Sequence, residues 1–171
     1  NYSKIWKDLS SNGQDFKWNN TPKWNKLSGF DTSNNKLIGH SLNHMNMDNT
    51  NLEFSFILFG QNKPKTKGDI FKLETENIAN SITITIDTYQ NEIIIYQNDK
   101  IKSQLDLGVS TMDMVYTFSY KNGKMKFYMN QVEITKGKEI QLDKVILSDK
   151  PFIINPNSNW NANIYNLLIY N

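Results

Sequence analysis

Residues 113–134 contain the feature that most constrains the fold, an Asn-Gly dipeptide between two alternating apolar and polar segments. Asn122 and Gly123 both tolerate the positive φ angles of a type I′ turn, the two-residue turn that closes many β-hairpins. Such a turn fixes the strand register, and every cross-strand pair on one face is then apolar. These pairs are Tyr120–Met125, Phe118–Phe127 and Tyr116–Met129. The chain is therefore predicted to contain a sheet with one buried face.

The same alternation recurs along the chain. Further strands are predicted at 52–59, 81–87, 91–97, 101–107 and 164–170. The segment 91–97 is apolar on both faces, which is typical of a strand covered on both sides. The first fifty residues contain only short extended pieces and turns, and Trp6, Trp18 and Trp24 in them are expected to cap a core. Short strands broken by Asn, Gly, Asp and Pro predict an all-β, two-sheet sandwich or barrel.

Composition excludes several classes of function. A chain of 171 residues without a linker or repeat is most simply one domain, 1–171. Because it begins at Asn1 rather than Met, we expect this domain to be part of a larger protein. It contains neither cysteine nor arginine. Disulfides and thiolate metal sites are therefore excluded. The net charge of +2, with lysines scattered, does not favour nucleic-acid binding. No segment approaches the roughly 20 apolar residues of a membrane span.

Three segments carry a resemblance to a known family. They are Ile5 to Gly13, with Trp6, Asp8, Leu9 and Ser10; Tyr120 to Ile134; and Trp160 to Asn171. In composition and order they resemble an opening segment, a penultimate hairpin and a closing strand of the concanavalin A-like lectin/glucanase superfamily, specifically its laminin-G-like branch. The resemblance implies a lectin-like, two-sheet antiparallel jelly-roll sandwich. One departure is Gln131, where the family usually has glycine, and we expect it to strain that turn or alter the loop.

Catalytic chemistry is not predicted. Retaining glucanases of this superfamily resemble one another in a Glu-x-Asp-x-x-Glu strand, which sets a nucleophile and an acid on one face. The only close glutamate pair here is Glu74 and Glu76, in an expected loop, with no third glutamate at the required spacing. We therefore expect no catalytic residues and a protein that is not an enzyme, with a glycoside hydrolase as the third hypothesis.

Metal binding is not predicted either. His40 and His44 lie in a segment without a helical pattern, so we expect surface histidines rather than ligands. Calcium prefers six to eight oxygen ligands. The resemblance to lectin-like proteins, which often carry calcium, makes such a site worth considering. Asp31, Asp48, Asp87 and Asn157 are candidates, but no dense acidic loop is present. No cofactor is predicted, although calcium stays open.

The loop 155–161 is the candidate binding segment, and its proposed ligand-binding residues are Asn157, Asn159, Trp160 and Asn161. An exposed indole can stack on the C–H face of a sugar while amides bond its hydroxyls. The alternative is that Trp160 seals the end of the sandwich against Trp6 or Trp24. Both interpretations remain open at this stage.

The resemblance implies a relationship to lectin-like modules of cell-surface proteins, secreted proteins and structural proteins of large viruses. We therefore expect a non-enzymatic recognition module that binds a glycan or a partner protein through rim loops, outside cells or on a virion. The alternative is a structural module of a larger assembly, such as a virion or surface layer. Weak sites would need several copies, so multivalency is expected in the first case.

Overall fold

The computed structural model describes residues 4–7, 13–27, 29–42, 52–77, 80–108 and 113–170. These residues form sixteen β-strands: β1 (Ile5–Trp6), β2 (Phe16–Trp18), β3 (Lys23–Asn25), β4 (Gly29–Asp31), β5 (Leu37–Ile38), β6 (Glu53–Asn62), β7 (Lys67–Leu73), β8 (Ile82–Asp87), β9 (Glu92–Gln97), β10 (Lys100–Asp106), β11 (Asp113–Lys121), β12 (Lys124–Met129), β13 (Val132–Glu133), β14 (Ile140–Gln141), β15 (Ile153–Ile154) and β16 (Ala162–Tyr170). In this part of the chain no helix has the length and apolar character needed to cross a membrane.

The strands form two sheets, and neighbouring strands run antiparallel. Sheet A has the order β1-β2-β5-β15-β7-β8-β9-β10. Sheet B has the order β13-β12-β11-β6-β16-β4-β3, and β14 pairs with β12 beside this path. The predicted all-β, two-sheet antiparallel jelly-roll sandwich is thus confirmed. The strand β7, which the sequence analysis did not predict, lies in the middle of sheet A.

The predicted hairpin is confirmed pair by pair. β11 and β12 are joined at Asn122 and Gly123, whose φ angles are 45° and 84°. Phe118 lies opposite Phe127. The other two predicted pairs, Tyr116–Met129 and Tyr120–Met125, have the same register. The turn chemistry and the apolar alternation therefore specify the same structure, as expected when one face of a sheet is buried.

Aromatic rings connect the two sheets through the core. Phe71 of sheet A stacks on Phe56 of sheet B with ring centroids 4.4 Å apart. Phe56 stacks on Phe118 at 4.5 Å, and Phe118 stacks on Phe127 at 4.7 Å. Offset aromatic pairs of this kind add about 0.5–1.5 kcal/mol each beyond the burial of their area. Phe56, Phe118 and Phe127 thus form a row across sheet B, and Phe71 joins this row to sheet A.

The tryptophans near the amino terminus lie at the side of the core. Trp6 stacks on Trp18 with a centroid distance of 6.1 Å, and Trp24 packs on Phe30 at 4.7 Å. Trp18 is buried, whereas Trp24 is partly exposed. Trp6 and Trp18 thus pack with the core as expected, whereas Trp24 contacts its partly buried neighbour Phe30 and does not cap the core. Residues 8–12 of the opening family-like segment lie outside the described residues.

Gln131 occupies a left-handed backbone conformation in the turn between β12 and β13. Its φ is 69°, and that of Asn130 is 49°. Met129 pairs with Val132 across this turn, so the two-residue connection is kept. The expectation of an altered loop is therefore wrong. The strain expected from a non-glycine residue in this region remains, at about 1–2 kcal/mol.

Candidate ligand-binding groove

The loop that contains the candidate binding residues is built around Asn155, which is fully buried and has a φ of 54°. The two N–H donors of its side-chain Nδ2 are shared among three carbonyl oxygens, those of Thr32 at 2.9 Å, Asn35 at 2.7 Å and Trp160 at 3.1 Å. Its Oδ1 accepts a hydrogen bond from the Trp160 main-chain nitrogen at 2.8 Å. A buried amide satisfied in this way fixes the backbone of the loop.

Trp160 is a buried residue in this structure. Its side chain is 0% exposed, and its Nε1 donates a hydrogen bond to Oδ1 of Asn62 at 3.2 Å. The indole therefore offers no face to a ligand, which corrects the prediction that Trp160 stacks on a sugar. The alternative interpretation, a plug at the end of the sandwich, describes its position. The partner is Asn62 of β6 rather than the predicted Trp6 or Trp24.

Asn157 and Asn159 lie together against β7, and both are exposed. Asn157 Nδ2 donates a hydrogen bond to Oδ2 of Asp69. Asn159 Oδ1 accepts a hydrogen bond of 3.0 Å from the main-chain nitrogen of Asp69. The loop comes this close because residue 68 is glycine: a Cβ at Gly68 would lie 2.5 Å from the main-chain nitrogen of Trp160. The structure thus brings two of the four predicted residues to one place.

Asn161, the fourth predicted residue, is also exposed but is anchored elsewhere. Its main-chain nitrogen donates a hydrogen bond of 2.9 Å to Oγ1 of Thr66. It does not contribute to the groove that Asn157 and Asn159 border. Ligand binding by the three asparagines stays a prediction.

Asn157 and Asn159 border a groove of about 720 Å³ on the outer face of sheet A. β7, β8 and β9 supply its floor with Lys67, Asp69, Lys72, Thr83, Thr85 and Tyr96. The strand register explains this set, because Lys72 pairs with Thr83 and Thr83 pairs with Tyr96. Asp69 pairs with Thr85 in the adjacent row. Side chains of paired residues share a face, so they form a polar surface with one aromatic ring.

Most residues on the floor of the groove are not predicted from the sequence. The alternation in 81–87 assigns Thr83 and Thr85 to one face, which was the available signal. The surface position of Tyr96 was not predicted because three isoleucines precede it, and this apolar run is typical of a strand that is covered on both faces. Ile93, Ile94 and Ile95 are indeed buried, whereas Tyr96 is half-buried and borders the groove. A tyrosine at the end of an apolar run has a polar tip that favours such a surface.

Ion pairs hold both lysines of the groove. Lys67 Nζ lies 2.7 Å from Oδ2 of Asp87, and this hydrogen bond keeps the pKa of the Asp87 carboxyl below its usual value. Lys72 Nζ lies 2.8 Å from Oε1 of Glu74, and Lys150 Nζ lies 3.2 Å from Oε2 of the same glutamate. The hydrogen bond from Lys72 likewise lowers the pKa of Glu74. Both carboxylates are therefore ionised and paired at neutral pH.

The other candidate residues are dispersed. His40 is exposed, and His44 and Asp48 lie outside the described residues. Asp31 accepts a hydrogen bond of 2.8 Å from Lys63. No group of three or more His, Asp and Glu side chains suited to a metal ion occurs among the residues that the structure describes. Glu76 lies in the connection between β7 and β8, as expected for the Glu74–Glu76 pair.

Sheet B has a second, smaller concavity on its outer face. It has a volume of about 480 Å³ and is lined by Phe59, Met114, Val115 and Tyr165, among others. Most of this lining is apolar. The two outer faces thus differ, since the groove on sheet A is rich in hydrogen-bonding groups.

Comparisons with known proteins bear on the fold. No family model and no curated protein matches the sequence. Among solved structures, the receptor-binding domain of botulinum neurotoxin mosaic serotype C/D matches 96% of this chain and 44% of its own, with 18% identity and a TM-score of 0.64. Trypanosoma rangeli sialidase matches 99% of this chain and 29% of its own, with 10% identity and a TM-score of 0.66.

A third similar structure is the alginate lyase AlgAT5 from Polysaccharide Lyase family 7. It matches 99% of this chain and 84% of its own, with 11% identity and a TM-score of 0.50. The chain spans less than half of the neurotoxin and sialidase chains. Identities this low carry fold information and no assignment of activity. The chain thus shares a β-sandwich fold with parts of these proteins.

Proposed function

We propose that this domain is a non-enzymatic recognition module that binds an oligosaccharide in the groove on sheet A. The observation that carries the proposal is the combination of one partly exposed ring, Tyr96, with the polar groups of Thr83, Asp69 and Asn157 along one concave surface. A pyranose has an apolar C–H face and a rim of hydroxyls. A ring with convergent polar groups matches both features.

The fold neighbours support a sugar ligand in a general way. A sialidase and an alginate lyase act on carbohydrates by their names, and the neurotoxin domain is named as receptor-binding. An exposed groove of this kind exchanges water hydrogen bonds for sugar hydrogen bonds, so the affinity per site is expected to be weak. We expect a Kd near 1 mM, which corresponds to about −4 kcal/mol. Effective attachment then requires several copies of the domain.

The carboxyl groups that line the groove or pair with its lysines support a role without catalysis. A general acid of a glycosidase needs a raised pKa so that it still holds a proton near neutral pH. Lys72 and Lys150 lower the pKa of Glu74, and Lys67 lowers that of Asp87. Asp69 accepts hydrogen bonds from Thr85 and Asn157. We expect purified protein to release no reducing ends from β-glucans. Steady release that disappears when one carboxylate is mutated would contradict this part of the proposal.

A glycan array tests the binding site. The wild-type domain, displayed in multiple copies, is compared with Tyr96→Ala and with Tyr128→Ala. Tyr128 is the matched control because it is a half-buried strand tyrosine of sheet B. We expect wild type and Tyr128→Ala to bind the same glycans and Tyr96→Ala to lose them while remaining folded. Binding that Tyr96→Ala retains, or no binding to any glycan, would contradict the proposal.

A structural module in a larger assembly is the second candidate function. The observation that favours it is the outer face of sheet B, where Ile57, Phe59 and Val115 are only half-buried. The register places Leu168 beside Ile57 on the same face. Apolar side chains that adjoin on an outer sheet face are typical of an interaction surface. Light scattering over a range of concentrations tests this function: self-association that Phe59→Ser abolishes would favour it, and a monomer throughout would not.

A further inference from the structure

We infer that the groove on sheet A selects uncharged glycans and discriminates against sugars that carry a carboxylate or sulfate. This inference rests on the proposed function and specifies its ligand. It follows from how the charges of the groove are paired, because recognition of an acidic sugar needs a cation whose charge is not already compensated by a carboxylate.

The charge of each groove lysine is already compensated by a carboxylate. Lys67 is bound to Asp87, whose side chain is only 4% exposed. Moving Lys67 towards a ligand would leave a buried carboxylate without its cation, which is costly. Lys72 is bound to Glu74, which also holds Lys150. An anionic sugar would therefore have to compete with carboxylates that are already in place.

The remaining charges of the groove are negative. Asp69 and Asp99 both line it, and among the described residues neither forms an ion pair with a lysine. Thr85 Oγ1 donates to Oδ1 of Asp69 at 2.6 Å, and Asn157 Nδ2 donates to its Oδ2. These two bonds fix the orientation of the carboxylate.

Asp69 also retains acceptor capacity. An ionised carboxylate has about four acceptor positions, and the two hydrogen bonds occupy only two of them. The remaining positions suit the hydroxyl groups of a sugar, which are donors. They repel a ligand carboxylate, which is only an acceptor.

Arginine is absent from the 171 residues. Its guanidinium is the group that recognises carboxylate and sulfate with two parallel hydrogen bonds. Lysine would have to supply this function alone, and the groove lysines are paired. An acceptor-rich surface with engaged cations therefore favours neutral sugars.

Matched oligosaccharide pairs test the inference. Mannohexaose and the corresponding mannuronate hexamer differ only in the carboxylates at C6, and N-acetyllactosamine is compared with its 6-sulfated form, which adds one anionic group to the same disaccharide. Each pair is measured with wild type and with Tyr96→Ala, at low salt (about 20 mM) and high salt (about 500 mM). We expect the neutral member of a pair that binds to be favoured about tenfold at low salt, from repulsion by two carboxylates. High salt should reduce this preference.

The outcomes separate the two proposals. Binding of an acidic member as tightly as its neutral partner, in a manner that Tyr96→Ala abolishes, would overturn the inference and leave the groove function intact. No groove-dependent binding by any sugar would overturn both. Asp99→Asn supplies an independent check, since Asp99 is exposed in a turn and its replacement should not disturb folding. That variant should lose part of the preference for the neutral member, and an unchanged preference would count against the inference.

Discussion

Nε1 of Trp160 donates a buried hydrogen bond of 3.2 Å to Oδ1 of Asn62. Asn62 Nδ2 in turn donates to the hydroxyl oxygen of Tyr116 at 2.7 Å. Three polar groups in the core are thereby satisfied, and the loop after β15 is joined to β6 and β11 of sheet B. Burial also raises the pKa of Tyr116, so its hydroxyl stays neutral.

Replacing Trp160 should destabilise the domain rather than selectively remove binding. We expect Trp160→Ala to lower the free energy of unfolding by about 3–5 kcal/mol, because the indole is fully buried. Trp160→Phe should cost less, but it leaves Oδ1 of Asn62 without its donor, at about 1–3 kcal/mol. Denaturant unfolding measures both. A Trp160→Ala variant as stable as wild type would show that the ring is not a core plug.

Phe118 is the central position of the hairpin and should be equally sensitive. Its ring stacks on both Phe56 and Phe127. Phe118→Ala should therefore cost about 3–5 kcal/mol. Ser119→Ala is the control, because Ser119 lies on the outer face of the same strand and should change stability by less than about 0.5 kcal/mol. Equal costs for the two variants would contradict the assigned register.

Gln131 offers a stabilising substitution. Glycine adopts its φ of 69° without the steric penalty that an L-residue incurs. The gain is partly offset by the greater entropy of glycine in the unfolded chain. We expect Gln131→Gly to raise the free energy of unfolding by about 1 kcal/mol, whereas Gln131→Ala should not raise it. Thermal unfolding of the two variants distinguishes relief of backbone strain from loss of the side chain.

Acid should weaken the domain in part through Asp87. Lys67 and the main-chain nitrogens of Gln90 and Tyr89 hold the pKa of this carboxyl below its usual value. The unfolded chain therefore takes up the proton more readily than the folded one. The resulting stability is present above the unfolded pKa of about 4 and is lost as the pH falls through the lower folded value. Asp87→Asn should be less stable at pH 7 and should flatten the pH dependence of unfolding below pH 4, whereas an unchanged slope would contradict this.

The sequence allowed the fold to be predicted where two independent signals agreed. Asn122-Gly123 and the pairs around Phe118 required the same register, and the structure has it. β7 was not predicted because the bulge between Asp69 and Phe71 buries two consecutive side chains, those of Ile70 and Phe71. A strand with this irregularity lacks the period of two by which strands are recognised.

The candidate site was predicted only in part, for a physical reason. Asn157 and Asn159 were selected from an asparagine-rich loop, and they do border the groove. Trp160 lies between two exposed asparagines of the same loop, but its own side chain points into the core. The composition of the loop does not show which side chains point inward. Asp69 and Tyr96 are distant in sequence and meet only because β7, β8 and β9 are neighbours in sheet A. Pairing between distant strands is information that local patterns do not contain.

The location of a bound sugar is the most direct test of the account. Two-dimensional amide NMR spectra of the domain, titrated with a neutral oligosaccharide identified on the array, report which residues respond. We expect the largest shift changes around Asp69, Thr83, Thr85, Tyr96 and Asn157, on the outer face of sheet A. Changes centred instead on Phe59, Val115 and Tyr165 of sheet B, with the groove unperturbed, would contradict the proposed binding site.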